Sequence, residues 1–362
     1  MSGKGAYLYG DDGKAYLDAI SSWWVNLHGH AHPYIMEKIA EQLPILEHVI
    51  FAGFTHRPAV ELAERLTALT GLDKVFYTDN GSTAIETAIK MAMQYSYPLG
   101  RKKFLSLRGG YHGETFGAMA VAGKNGFNAP FWHPVFPVES IDPPFAGQEE
   151  RFLKELKEHL SSGEIAAFIF EPLILGPGGM RIYSKEALES AMGLCQESGT
   201  LTIADEVMTG FGRTGPLFAS PIKPDILCVA KSMTGGYLPL GAALCKQKIY
   251  DAFSHFAHGH SYAGNPLACT AALASLDLLL APSCTEARKH IAASHRNFVD
   301  NHHSFKRCES LGTILAIEYH KPPPVSHFLE KGILMRPLEN VFYLIPPYCI
   351  TSEELERIYG TL

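Results

Sequence analysis

The sequence of 362 residues holds no apolar run approaching the ~20 residues that a membrane-spanning helix requires. The opening stretch, residues 1–10, has no apolar segment of the kind that marks a secretory signal. Positive charge is not in excess: Lys plus Arg is 31 and Asp plus Glu is 37, so the formal net charge is 31 − 37 = −6. That balance argues against a general nucleic-acid binder, which needs a basic face for phosphate. Cysteine is sparse and odd in number, seven in all, with no C-x-x-C pair. A disulfide framework and a zinc site are therefore both disfavoured, and reduced, buried thiols in a cytoplasmic protein are expected. Internal repeats, low-complexity tracts and long flexible linkers are also missing. What is present, 46% hydrophobic and 19% charged residues, is the composition of a globular protein and excludes a disordered or collagen-like chain. The length points to about two domains at roughly 150 residues each.

From about residue 60 short apolar runs alternate with amphipathic stretches. The runs at 74–78, 103–107, 165–170, 201–204 and 226–230 read as strands, and 61–70, 83–96, 152–160 and 185–198 as helices. Continuous apolar strands separated by helices predict an α/β fold, a mostly parallel sheet covered on both faces. Before it, 6–9 and 15–18 read as a hairpin around the Gly10-Asp11-Asp12-Gly13 turn. After helices near 266–280 and 285–300, strands at 311–318, 333–336 and 341–345 predict a smaller α+β domain. The division expected is an N-terminal segment at 1–60, a large domain at 61–265 and a C-terminal small domain at 266–362.

In an open parallel sheet, ligands bind beyond the carboxyl ends of the strands. The residues just past each strand are therefore the informative ones. Strand 201–204 runs into Asp205 and Glu206, strand 226–230 into Lys231, strand 74–78 into Asp79-Asn80-Gly81-Ser82, and strand 103–107 into Tyr111-His112-Gly113. Gly81 and Ser82 precede a helix whose Thr83 and Glu86 fit a capping box, so free N–H groups there could cradle a phosphate. An ordinary capped helix gives the same pattern. Lys231 could be a desolvated, nucleophilic lysine, and Asp205 the carboxylate that keeps a pyridine nitrogen protonated, which is the pyridoxal-phosphate pattern. A strand-end lysine that reaches back to water is the plainer alternative. Two patterns mislead. Gly210 to Gly215 spells GxGxxG, but Pro216 and Pro221 stand where a dinucleotide-binding helix should begin. His28, His30 and His32 alternate, but Gly29 and Pro33 make a turn-rich loop with no carboxylate spaced to complete a metal site.

Taken in order, these residues resemble the class III pyridoxal-phosphate aminotransferases of fold type I. The resemblance rests on Tyr16-Leu17-Asp18, Asn80-Gly81-Ser82 with Glu86, Tyr111-His112-Gly113, Glu171-Pro172, Asp205-Glu206-Val207, Gly210 to Gly215, Lys231 with Gly235-Gly236, and Gly264-Asn265-Pro266. Ser21-Ser22-Trp23-Trp24, Gly178-Gly179-Met180-Arg181 and Met335-Arg336-Pro337 with Tyr343 to Tyr348 point to the branch that makes 7,8-diaminononanoate for biotin. The resemblance implies that Lys231 carries pyridoxal 5′-phosphate and moves the proton. It implies that Asp205 pairs with the pyridine nitrogen, that Tyr111 stacks on one ring face and that Val207 packs the other. Gly81 and Ser82 are implied to bind the phosphate, with Ser261 reaching the phosphate of a partner subunit in a homodimer. Trp23, Tyr111, Arg213, Lys231, Gly259, Arg336 and Tyr343 are implied to bind substrate, and Trp24 is expected to be core or interface. The implied substrates are 8-amino-7-oxononanoate and, as donor, S-adenosylmethionine. Lysine as donor, another class III reaction on an ω-amino acid, ornithine or a diamine, and a non-catalytic binding protein on the same fold remain open. No metal is implied. Three departures from the family's pattern are visible: Glu114 where Asp is frequent, Ser261 where Thr is common, and a start almost at the hairpin. In that last place the family has a segment that brings another aromatic to the cavity.

Overall fold

The computed structural model describes residues 1–123, 128–131 and 135–362. Its centre is a seven-stranded sheet in the order Lys74–Thr78, Gly241–Cys245, Ile226–Val229, Leu201–Asp205, Ile165–Phe170, Lys103–Leu107, Val138–Ile141. The pairings from Ile226–Val229 to Val138–Ile141 are all parallel, and Gly241–Cys245 runs against both of its neighbours. All six residues of Ile165–Phe170 are buried, because helices cover both faces, including Gly81–Ser96, Lys185–Ser198 and Arg57–Thr70. This is why the central strands read as unbroken apolar runs. Two strands of this sheet were not marked by the sequence. Gly241–Cys245 is built of Gly, Ala, Ala, Leu and Cys, small residues with little β preference, and Val138–Ile141 is an edge strand interrupted by Glu139 and Ser140.

The helix Gly81–Ser96 is capped differently from the sequence expectation. Asn80 is the N-cap and Thr83 closes the box, each side chain bonding the other's backbone N–H. Glu86 instead accepts from the N–H groups of Gly117 and Ala118, tying the next helix, Phe116–Ala122, to this one.

The C-terminal part carries an antiparallel sheet of Arg307–Leu311, Ile314–Glu318 and Val341–Leu344. The run expected as one strand at 311–318 is split, because Gly312 turns the chain with φ +58° against the Arg213–Gly215 backbone. The N-terminal strands Ser2–Lys4, Tyr7–Tyr9 and Ala15–Asp18 form a second sheet, which Ile333–Leu334 joins by pairing parallel to Ala15–Asp18. Of the seven cysteines, Cys195, Cys228, Cys245 and Cys269 are buried, while Cys349 is exposed, contrary to a uniformly buried set. Among the described residues no single helix is long and apolar enough to cross a membrane; Pro266–Leu280 and Pro282–Asn301 meet at a 69° bend.

Candidate active site

The carboxyl ends of the parallel strands open into a cavity of about 750 Å³. Seven of the residues named from sequence stand around it: Trp23, Gly81, Ser82, Tyr111, Asp205, Val207 and Lys231.

Lys231 comes just after the fully buried strand Ile226–Val229 and begins a short 3₁₀ turn, Lys231–Thr234. Its backbone is left-handed, φ +42°, a conformation that a non-glycine residue holds at a cost of about 1–3 kcal/mol. Gly235 and Gly236 then turn the chain away, with φ +64° and +96°. The Nζ lies 4.2 Å from the centre of the Trp24 ring. Burial pulls the amine down to about 8, and the carboxylates of Asp205 and Glu171 oppose that pull. Lys231 borders the cavity and is partly exposed there.

Asp205 ends the strand Leu201–Asp205 and is 5% exposed. Its Oδ2 is 2.7 Å from Nδ1 of His112, and its Oδ1 accepts from the Val207 N–H at 3.1 Å. Nε2 of His112 has no hydrogen-bond partner among the described residues. Beside this pair Glu171 accepts from the N–H groups of Tyr111 at 2.9 Å and Gly176 at 3.0 Å. Burial raises its carboxyl to about 7, partly offset by His112 and reinforced by Asp205. Sequence reasoning assigned no site role to His112 or Glu171. Their signals were there, since both come after strands that end at the cavity.

The helix Gly81–Ser96 points its N-terminus at the same cavity. Asn80 satisfies Thr83, while the N–H groups of Gly81 and Ser82 have no intrahelical acceptor and stand beside the helix's positive end. The Ser82 Oγ accepts from the Glu114 N–H at 3.2 Å, which ties the loop after Tyr111 to the cradle. Tyr111 and Val207 border the space between the cradle and Asp205. A helix start with free N–H groups, a buried carboxylate and a lysine lowered to about 8, all around one cavity, fit a phosphorylated pyridine aldehyde. Among the described residues no group of three His, Cys, Asp or Glu side chains that could hold a metal ion occurs, and His30 Nε2 is paired with Asp18 at 2.9 Å.

The mouth is formed differently from the sequence expectation. Trp23 is 44% exposed and borders the cavity; Arg336, expected to line it, does not, and its exposed guanidinium lies 5.5 Å from the Trp23 ring centre. Arg213, expected to wall the cavity, is fully enclosed instead. Its guanidinium donates to the carbonyls of Pro346 at 2.8 Å and Trp24 at 3.4 Å and sits 5.0 Å from the Tyr348 ring centre. It joins the two chain segments behind the site. Tyr343 is also fully buried, standing edge-on behind Trp24 at 5.9 Å, and does not line the cavity. Trp24 is buried, as expected. Gly259 and Ser261 are exposed and lie outside the cavity of their own chain. Residues 21–24, Ser-Ser-Trp-Trp, are left-handed throughout, with φ between +45° and +73°. For L-residues this costs roughly 1–2 kcal/mol each.

The family model described as aminotransferase class-III matches residues 1–362. The adenosylmethionine-8-amino-7-oxononanoate aminotransferase of Synechococcus elongatus is 43% identical, over 100% of this chain and 93% of that protein. The enzyme of the same name from Helicobacter pylori is 40% identical, over 99% and 89%. Among solved structures, the Methanocaldococcus jannaschii enzyme of that name superposes with a TM-score of 0.92 at 35% identity, covering 100% of this chain and 92% of the other. A PLP-bound amine transaminase from an uncultivated Pseudomonas species superposes with a TM-score of 0.91 at 30% identity, covering 100% and 93%.

Proposed function

This chain belongs to the class III aminotransferase family, and we propose that it transfers an amino group to 8-amino-7-oxononanoate, giving 7,8-diaminononanoate, with S-adenosylmethionine as donor. The observation that carries the reading is one cavity that holds a lysine lowered to about 8 and is bordered by Trp23, whose ring has the Arg336 guanidinium 5.5 Å from its centre. The full-length likeness to proteins named for this reaction supports it.

Pyridoxal phosphate, when bound, supplies an electron sink for the carbon that gains or loses the amino group. The chain's own residues do the rest. Lys231 Nζ holds the cofactor and, as a free amine, takes a proton from the donor carbon and returns one to the acceptor. Asp205, oriented by His112, holds a proton on the pyridine nitrogen. Gly81 and Ser82 would hold the phosphate at the helix start, with Tyr111 and Val207 on the cavity walls to pack against the ring. Trp23 offers an apolar wall to the methylene chain, and Arg336 offers a fork to its carboxylate. The aromatic face also suits a sulfonium cation. We assign the chain to a cytoplasmic homodimer, in which the exposed Gly259 and Ser261 complete the partner's site.

The test is an assay with 8-amino-7-oxononanoate as acceptor and S-adenosylmethionine, lysine and glutamate as separate donors. Turnover with S-adenosylmethionine is expected. Arg336→Ala should raise the acceptor KM about ten- to a hundredfold, the worth of a charge-assisted contact of about 1.5–3 kcal/mol. No turnover with any donor, beside brisk turnover of a short ω-amino acid with pyruvate, would move the chain to another class III reaction.

A further inference from the structure

Four consecutive residues, Ser21, Ser22, Trp23 and Trp24, hold φ of +49°, +45°, +71° and +73°, and none is glycine. L-residues visit this region singly, so a run of four persists only where its surroundings over-determine it. One carboxylate does much of this. Asp18 is fully buried at the end of the strand Ala15–Asp18. Its Oδ1 accepts from the N–H groups of Ile20 at 3.3 Å and Ser22 at 3.0 Å. Its Oδ2 accepts from Ser22 Oγ at 2.7 Å and from His30 Nε2 at 2.9 Å. The far end is held separately. Ser232, the neighbour of Lys231, donates to the Trp24 carbonyl at 3.0 Å, and Arg213 donates to the same oxygen.

The turn sends two adjacent indoles to one side. They lie 6.1 Å apart at 28°, which an extended chain forbids because it sends successive side chains to opposite faces. The buried Trp24 ring lies against Lys231, and the exposed Trp23 ring stands at the mouth beside Arg336.

We propose that Asp18 is a positioning residue for the acceptor: by capping the left-handed turn it fixes Trp23 at the mouth, and Arg336 with it. Asp18 touches neither the cofactor cradle nor Lys231, and the Trp24 end stays pinned without it. Its loss therefore weakens acceptor recognition and spares cofactor capture. The inference rests on the acceptor reading above, so the test has an arm that needs no turnover.

Asp18→Asn keeps the size of the side chain but has one accepting oxygen, so it cannot serve both the Ile20 and Ser22 N–H groups and the Ser22 Oγ and His30 pair. In a Trp132→Phe background, where emission comes from Trp23 and Trp24, its fluorescence anisotropy should fall. The KM for 8-amino-7-oxononanoate should rise about tenfold, while kcat and the Kd for pyridoxal phosphate stay within about twofold. Adding Ser22→Gly, which takes φ near +45° without steric cost, should recover much of the KM. Unchanged anisotropy and KM would overturn the proposal, and so would a KM and cofactor Kd that rise together, since that is a general loss of structure. If the wild-type protein does not turn over this acceptor, the functional reading fails while the anisotropy and the glycine rescue still decide the role of Asp18. Should Asp18→Asn not fold, Ser22→Ala removes only the hydroxyl bond to Oδ2 and carries the same readouts, with a smaller expected rise of about threefold.

Discussion

Carbamylation of Lys231 by cyanate in the cofactor-free protein should titrate with a midpoint near pH 8. The reagent attacks only the neutral amine. Burial beneath the ends of the parallel strands lowers this lysine from 10.5 to about 8. At pH 7 an amine of pKa about 8 is about one-tenth neutral, against about 0.03% for an ordinary lysine, a gain of roughly 300-fold in reactive form. Since the folded-state pKa is depressed, the lysine's contribution to stability is present above its ordinary value and lost as the pH falls toward 8. It amounts to about 3 kcal/mol at most. The Asp205 carboxylate opposes the shift, so Asp205→Asn should move the midpoint further down. Mass spectrometry of digests taken across pH 6 to 11 gives the rate at Lys231, with surface lysines in the same digest as the internal standard. A midpoint above 10, or a midpoint raised by Asp205→Asn, would refute the reasoning that links burial of this amine to its readiness for cofactor capture.

The same geometry sets other outcomes. Arg213→Ala should lower stability to urea by about 3–5 kcal/mol, because it empties a buried volume and leaves the Pro346 carbonyl without its donor, whereas Arg213→Met, which refills the space, should cost less. Gly113→Ala would drive a Cβ into Ser82 Oγ at φ +123°, and should weaken pyridoxal phosphate binding at least tenfold in an absorbance titration. Asn80→Ala should cost about 0.5–2 kcal/mol through the lost cap, measured by thermal unfolding.

The large sheet was legible because its central strands are buried on both faces, and burial of that kind writes itself as unbroken apolar runs such as Ile165–Phe170. The strand Gly241–Cys245 was not, because its small residues are chosen for close approach rather than for strand preference. The 311–318 run misled because Leu311 ends the mostly polar strand Arg307–Leu311 while Ile314–Glu318 is the next strand, with Gly312 at the turn between them. Around the site, Lys231, Asp205, Gly81, Ser82 and Tyr111 could be picked out by one rule, that each stands just past a strand whose carboxyl end faces the ligand edge. Asn80 and His112 come after the same strands, but their roles depend on which neighbour each side chain meets, and spacing does not carry that.

Arg213 and Arg336 mark where such reading stops. Arg213 sits in a turn and Arg336 just past the strand Ile333–Leu334, and either guanidinium suits a carboxylate. The fold separates them by burial. Arg213 lies beneath the Trp24 and Pro346 carbonyls, where a charge is tolerated because neighbouring backbone oxygens accept its protons. Arg336 remains exposed against an exposed indole. The path of residues 18–24 meets both arginines, the Trp24 carbonyl accepting from Arg213 and the Trp23 ring standing beside Arg336. That path depends on four left-handed residues and a buried aspartate, a backbone choice that residue type does not announce. In the function proposed above, the cofactor edge of this cavity derives from the strand ends and its substrate mouth from one strained turn. Substitutions on the two sides should accordingly separate in the assays, cofactor affinity responding to Gly113 and acceptor KM to Asp18 and Arg336.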